Sequence, residues 1–271
     1  MKFTFIILFT FLTPSLQAQT AYEQLVRDAI TAMENDSLMQ AEHLLREALQ
    51  TDPTAQGNAI VWGHLASIAE RTGRPQEALE DYGMALGLSP ETPALLLGRA
   101  SLYVKLGNEE RALQDYTTLL EARPDHPEAL LMRGYVRLRR RMYREARTDY
   151  EHLLHLQPTH EQALLGLALV NDADRRPREA IENVSRAIEL YPNHPDGYAI
   201  RAGMELSRMQ YELAEADYAE AIRLAPTDPT YRLARARLYM QTKRKRLARA
   251  EAREAARLGA SAEEVAGATM P

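Results

Sequence analysis

The sequence predicts an all-α chain, a solenoid of about seven antiparallel pairs of short helices. Three observations predict it. Pro90, Pro124, Pro158, Pro192 and Pro226 follow one another at intervals of 34 residues, and Pro53 precedes Pro90 by 37. Small and aromatic residues recur in register between those prolines, as in Ala129-Leu130-Leu131, Gly134 and Ala146-Arg147-Thr148-Asp149-Tyr150. Helix-starting and helix-ending residues fall at matching places in successive copies. Self-similarity at this period marks an array in which each copy touches only its neighbours, so length sets the number of copies and not the number of globular domains.

Numbering each copy from the residue 31 before its closing proline defines repeats 22–55, 59–92, 93–126, 127–160, 161–194 and 195–228, with a looser seventh, 229–258, that lacks the proline. Gln56 to Asn58 are extra, and a surface turn absorbs such an insertion at small entropic cost.

Ahead of the array, Lys2 and the apolar run Phe3 to Leu12 lead through Pro14 to a cleavage point after Ala18, so residues 1–18 read as an export signal. The apolar run is about half of the roughly 20 residues that span a bilayer. All four phenylalanines lie inside it, and the chain has no cysteine. That excludes disulfides, thiolate metal sites, a catalytic thiol and a lipid-modified cysteine. The expected location is the periplasm of a Gram-negative bacterium, or the medium.

Within each repeat, proline opens the first helix at Pro93, Pro127, Pro195 and Pro229, where a missing N–H costs nothing. Gly73 and Gly107 suit its left-handed end. The second helix carries small or apolar residues at positions 20, 24, 27 and 28, as in Ala112, Tyr116, Leu119 and Leu120, spaced for one face. Helices of about 14 residues are too short to be stable alone, so packing must hold them. Polar residues recur in register too. Arg99, Arg133, Arg201 and Arg235 occupy position 7, and Asp115, Asp149, Asp217 and Glu251 occupy position 23 of the same repeats. An ion pair between the two helices of each repeat is expected there. The fifth repeat has Leu167 and Asn183 instead, and in the second, which has Leu65, Asp81 is expected to reach Arg99.

Few residues suggest chemistry. His126, His160 and His194 share position 34, but helices stack roughly 10 Å apart, too far for a shared metal. His152 and His155 lack a third ligand, and Asn171, Asp172 and Asp174 lack the spacing and glycine of a calcium loop. No nucleophile elbow, phosphate-binding glycine loop or zinc-protease motif is present, so no catalytic residue, metal or cofactor is expected.

The run Trp62-x2-Leu65-Ala66, then Ala78-x3-Tyr82, then Pro90, with its copies over residues 21–258, resembles the tetratricopeptide repeat family. Tyr stands for Phe at position 24, and Arg for Leu at position 7 in four repeats. The resemblance implies a right-handed superhelix with a concave groove lined by positions 2, 5, 9, 12 and 13 of the first helices. Here these include Leu97, Ser101, Val104 and Lys105; Leu131, Tyr135, Leu138 and Arg139; Leu165 and Leu169; Leu206; and Leu233, Arg237 and Met240. The Lys and Asn with which chaperone-binding members clamp a carboxylate are absent, which favours an apolar or helical peptide segment as partner. The alternative is that these residues pack on neighbouring helices or on the chain's own terminal segment.

The formal charge of −5 is unevenly spread, because residues 232–257 hold ten Arg or Lys against Glu251 and Glu254. Arg232, Lys243, Arg244, Lys245, Arg246 and Arg249 form a basic surface suited to an anionic envelope component, and nucleic acid is not an expected partner of an exported, otherwise acidic chain. After Gly259, Ser261-x-x-Glu264 predicts a capping box within a closing turn and tail, 259–271. The sequence thus predicts a non-enzymatic exported scaffold that binds a protein segment in its groove, or else a structural protein docked to the envelope through its basic end.

Overall fold

The structure, a computed structural model, describes residues 14–270, and the first 13 residues of the expected signal 1–18 lie outside them. Fifteen α-helices and no strands are present among the described residues. The chain divides between Pro124 and Asp125 into two compact bodies. The amino-terminal body holds α1 (Pro14–Glu34), α2 (Leu38–Thr51), α3 (Asn58–Arg71), α4 (Pro75–Leu88), α5 (Pro93–Lys105) and α6 (Glu109–Ala122). The carboxy-terminal body holds α7 (Pro127–Arg139), α8 (Tyr143–Leu156), α9 (Glu161–Ala173), α10 (Pro177–Leu190), α11 (Pro195–Ser207), α12 (Tyr211–Leu224), α13 (Pro229–Gln241), α14 (Lys245–Arg257) and α15 (Ala262–Thr269). Each odd-numbered helix from α1 to α13 packs on the even-numbered helix that follows it. The first helix begins eight residues before the first repeat and runs through Ala18 without a break. Asn58, expected in the inserted turn, instead opens α3, where its buried side chain donates to the Asp52 carbonyl at 3.0 Å.

The turn inside each pair is the same device seven times. Position 15 takes positive φ in every repeat, at Asp36, Gly73, Gly107, Arg141, Arg175, Met209 and Lys243. The next N–H then bonds back to the carbonyl of position 11, as from Arg74 to Ala69, Met142 to Arg137 and Gln210 to Glu205, at 2.8 to 2.9 Å. This is the Schellman closure, which satisfies carbonyls the helix end leaves open. Glycine fills that site twice; the other five repeats hold L-residues in a left-handed conformation at a cost of about 1 kcal/mol or more each.

Packing between repeats depends on residue 24. The Tyr150 ring lies between Gly134 of its own repeat and Gly166 of the next, where an added Cβ would stand 3.0 and 2.5 Å from ring carbons. The same steric fit brings Tyr82 onto Gly98, leaving 2.4 Å between a Cβ and the phenol oxygen. Where position 24 is the smaller Val184, its cluster holds the larger Ile200 at the position Gly98 and Gly166 occupy in their repeats. Bulk on one side is matched by its absence on the other, as close packing requires.

The expected ion pairs form. Arg99 and Arg201 each give a two-pronged bridge, to Asp115 at 2.7 and 2.9 Å and to Asp217 at 2.6 and 2.9 Å. Arg133 reaches Asp149 at 2.7 Å, with Arg137 adding a second guanidinium at 2.5 Å, and Arg235 reaches Glu251 at 2.6 Å. Asp115, Asp149 and Asp217 are buried, so each bridge fixes how its two helices meet. Leu167 is buried where the fifth repeat has no pair. Asp81 does not find Arg99. It is buried, its Oδ2 has no hydrogen-bond partner, and the cation acting on it is Arg46 of the preceding repeat.

The tyrosine-to-glycine fit makes a direct prediction. Gly166→Ala should destabilise the protein by about 1 to 3 kcal/mol through overpacking, read as a lower urea midpoint. Combining it with Tyr150→Val should cost less than the two single changes added together, because the pair is in contact.

Candidate functional site

In the amino-terminal body, α3 and α5 lie side by side. A cleft of about 520 Å³ opens along them, lined chiefly by Ile60, Gly63, His64 and Ser67 of α3, Leu88 at the end of α4, and Leu95 of α5. Ile60 and Leu88 are 60% and 59% exposed, so apolar carbon faces solvent on either side of the cleft. Burial lowers the His64 pKa below the usual histidine range, which keeps its imidazole neutral near pH 7. Ile60, Gly63 and Ser67 hold repeat positions 2, 5 and 9. The face expected from the third and later repeats thus extends to the second, where the same register points to these three residues.

The expected residues of α5 lie further along that face. Leu97, Ser101 and Val104 are half-buried, while the exposed Lys105 is tied to Glu70 of α3 at 2.5 Å. In the carboxy-terminal body α7 touches α9, α9 touches α11 and α11 touches α13, so their matching positions share one face. Tyr135 and Leu169, at position 9 of successive repeats, are 42% and 39% exposed. The Arg139 guanidinium covers the Tyr135 ring at 5.8 Å, a cation–π arrangement. Leu131, Leu138, Leu206 and Met240 are half-buried, and Arg237 is exposed.

Two expected groove residues are not on an open surface. Leu165 is buried against Ala168, Ala180 and Val184, because α9 is enclosed on nearly all sides. Leu233 is buried under the last helix, packed with Ala255, Ala268 and Val265. That helix starts with the expected capping box, Ser261 accepting from the Glu264 N–H at 3.2 Å and donating its own N–H to Glu264 at 2.8 Å. The basic surface also shrinks. Arg232 is held by Glu251 at 3.2 Å and Arg244 by Glu215 at 2.7 Å. Lys243, Lys245, Arg246 and Arg249 are exposed.

The histidines and acids weighed as ligands serve structure. His126 and His160 cap their helices by accepting N–H bonds from Ala129 and Ala163 at 3.3 Å, and His194 meets Glu161 at 2.7 Å. His152 meets Asp125 at 2.8 Å. Asp172 and Asp174 are engaged by Arg208 at 2.5 Å and Arg147 at 2.6 Å. No group of three or more His, Asp or Glu among the described residues is placed to hold a metal ion, and no helix there is long and apolar enough to cross a membrane.

Two buried acids stand out electrostatically. Burial pushes Asp81 up to about 6, with Arg46 offsetting part of the effect. Burial and then the nearby Asp217 charge push Glu205 up to about 7, against the pull of Arg201 and Arg208. Glu205 occupies position 11, where the fourth repeat has Arg137 and the third has Tyr103.

Stacked helix pairs whose first helices build a common face define a helical-repeat scaffold fold. Two family profiles, each described as tetratricopeptide repeat, match residues 69–134 and residues 26–93 with 131–195. The chain belongs to the tetratricopeptide repeat family. A tetratricopeptide repeat protein from Parabacteroides merdae is 27% identical, with a TM-score of 0.82 over 92% of this chain and 98% of that one. YrrB, described as a tetratricopeptide repeat protein with an unusual peptide-binding site, is 20% identical, with a TM-score of 0.57 over 65% and 93% of the two chains. MamA from Desulfovibrio magneticus RS-1 is 23% identical, with a TM-score of 0.57 over 63% and 97%. The last two likenesses concern the fold alone. No curated protein matches the sequence. The fold commonly serves protein or peptide binding, and its members are generally non-enzymatic.

The buried acids set a pH signature. With folded pKa values above those of the unfolded chain, Asp81 and Glu205 favour folding when protonated and lose that contribution as pH rises from about 4 to 7. Asp81→Asn and Glu205→Gln should each match wild type near pH 4 and exceed it at pH 8, by about 1 to 3 kcal/mol. Urea unfolding across that range checks this.

Proposed function

We propose that this protein is a non-catalytic, exported scaffold that holds an apolar or helical segment of a partner protein on its first-helix face, within a complex of the cell envelope. The observation that carries the reading is the cleft along α3 and α5, where Ile60 and Leu88 keep apolar carbon in water around a concavity of about 520 Å³. Solvated apolar surface beside a preformed cleft favours a ligand that covers it. The cleft holds no Lys and Asn pair, so an apolar side chain suits it better than a terminal carboxylate. Tyr135 and Leu169 offer the same chemistry in the carboxy-terminal body. Family membership supports binding as the activity. The basic start and apolar run before Ala18 support export, and the absence of cysteine agrees with it.

Panning a displayed library of 15-residue peptides should enrich sequences with apolar residues at helical spacing. Their affinity should fall at least tenfold for Ile60→Glu with an unchanged thermal melt, since Ile60 is exposed and its loss leaves the core intact. Equal binding by wild type and variant would refute the cleft as the binding surface. Mass spectrometry of the protein recovered from its producing cells should find Gln19 as the first residue, and an uncleaved chain in the cytosol would refute export.

A further inference from the structure

A second concavity, of about 540 Å³, lies between α14 and α15, lined by Arg246, Arg249, Ala252, Arg253, Val265 and Thr269. The three arginines stand at i, i+3 and i+7, one stripe of α14. They are exposed, and none has an ion pair among the described residues, whereas Arg232, Arg235, Arg244 and Arg257 each have one. Arg232 and Arg235 share Glu251, Arg244 takes Glu215, and Arg257 takes Glu254. Glu215, Glu251 and Glu254 are therefore already engaged, Glu264 is committed to its capping box, and Glu263 does not line the hollow. Three like charges around one hollow repel one another, and no carboxylate is among the described residues that line it.

The rest of the lining is apolar. Ala252 is buried and Val265 half-buried, while the Thr269 hydroxyl donates to the carbonyls of Val265 and Ala266 and so has no proton left for a ligand. Guanidinium forks give about two parallel N–H donors each, some six in all, whereas a carboxylate accepts at roughly four lone-pair sites. A terminal phosphate, with three acceptor oxygens, matches the larger number. We propose that the α14–α15 hollow is a binding site for a phosphomonoester group, seated on Arg246, Arg249 and Arg253 with its organic body against Val265 and Ala252. The site shares no residue with the cleft of the amino-terminal body, so its failure would leave the scaffold reading untouched.

Two probes separate the sources of such a group. Calorimetry with pyrophosphate tests a soluble ligand, and flotation with vesicles containing phosphatidic acid, phosphatidylglycerol or phosphatidylcholine alone tests a lipid headgroup. Expected are binding of pyrophosphate, or preference for phosphatidic acid over phosphatidylglycerol, and at least a tenfold loss in Arg249→Gln with Arg253→Gln. Lys243→Gln with Lys245→Gln removes equal charge outside the hollow and should change binding less than twofold. Preference for phosphatidic acid vesicles assigns the phosphate to a lipid, and pyrophosphate binding without it assigns a soluble ligand. The proposal is overturned if neither probe binds, if the arginine variant binds as wild type does, or if the lysine variant loses as much. Both variants alter exposed side chains, and matching thermal melts verify their folds.

Discussion

Each repeat is a hairpin of two helices too short to persist alone, and what converts a string of such hairpins into a protein is the fit of one aromatic ring into space left by absent side chains. Tyr150 shows the arrangement most fully, wedged between Gly134 and Gly166. A helix of 13 or 14 residues gains little from its own hydrogen bonds. The burial of residue 24 against the following repeat therefore supplies much of the free energy that makes the array cooperative. Where the ring is missing, at Val184, Ile200 restores the volume from the other side. Conservation of volume, and not of residue type, is what the interface demands.

The arginine–carboxylate bridges play a different part. Burying an ion pair offsets much of its own Coulomb gain by desolvation, so these bridges are better seen as fixing geometry than as adding stability. They join position 7 of the first helix to position 23 of the second, and so set the rotation of the helix that carries the exposed face. The fifth repeat dispenses with the pair by burying Leu167. Asp81 and Glu205 are buried acids with an unpartnered oxygen each, and the rise in their pKa is the physical consequence.

Two surfaces of different character result. The first-helix face offers apolar carbon around a preformed cleft in the amino-terminal body, while the last helix pair offers cations without counter-ions. The small helix α15 has a part in both. It covers Leu233 on α13 with Val265 and Ala268, closing that position of the face, and with Val265 and Thr269 it walls the arginine hollow. A terminal repeat must cap its exposed apolar edge to stay in solution.

By itself the sequence determined the period, the helix pairs, their capping and the pairing of Arg99, Arg133, Arg201 and Arg235 with acids 16 residues on, because local periodicity and a strict repeat make those contacts near in sequence and identical in each copy. It identified the family for the same reason. What it could not determine was which apolar residues remain in water. Leu165 and Leu169 are one helical turn apart and alike in composition, yet only the second is exposed, since burial depends on the bulk of helices packed from either side. Leu233 was lost to a helix that begins 29 residues later, and Asp81 is buried with an unpaired oxygen, the cation that acts on it being Arg46 of the preceding repeat and not Arg99. The left-handed turn at position 15 was legible only where glycine occupied it; at Arg141, Arg175 and Met209 the Schellman bonds impose it on residues that do not favour it. Only the tertiary structure decided these matters, because each turns on which surfaces neighbouring repeats cover and on which hydrogen bonds the packed helix ends must satisfy.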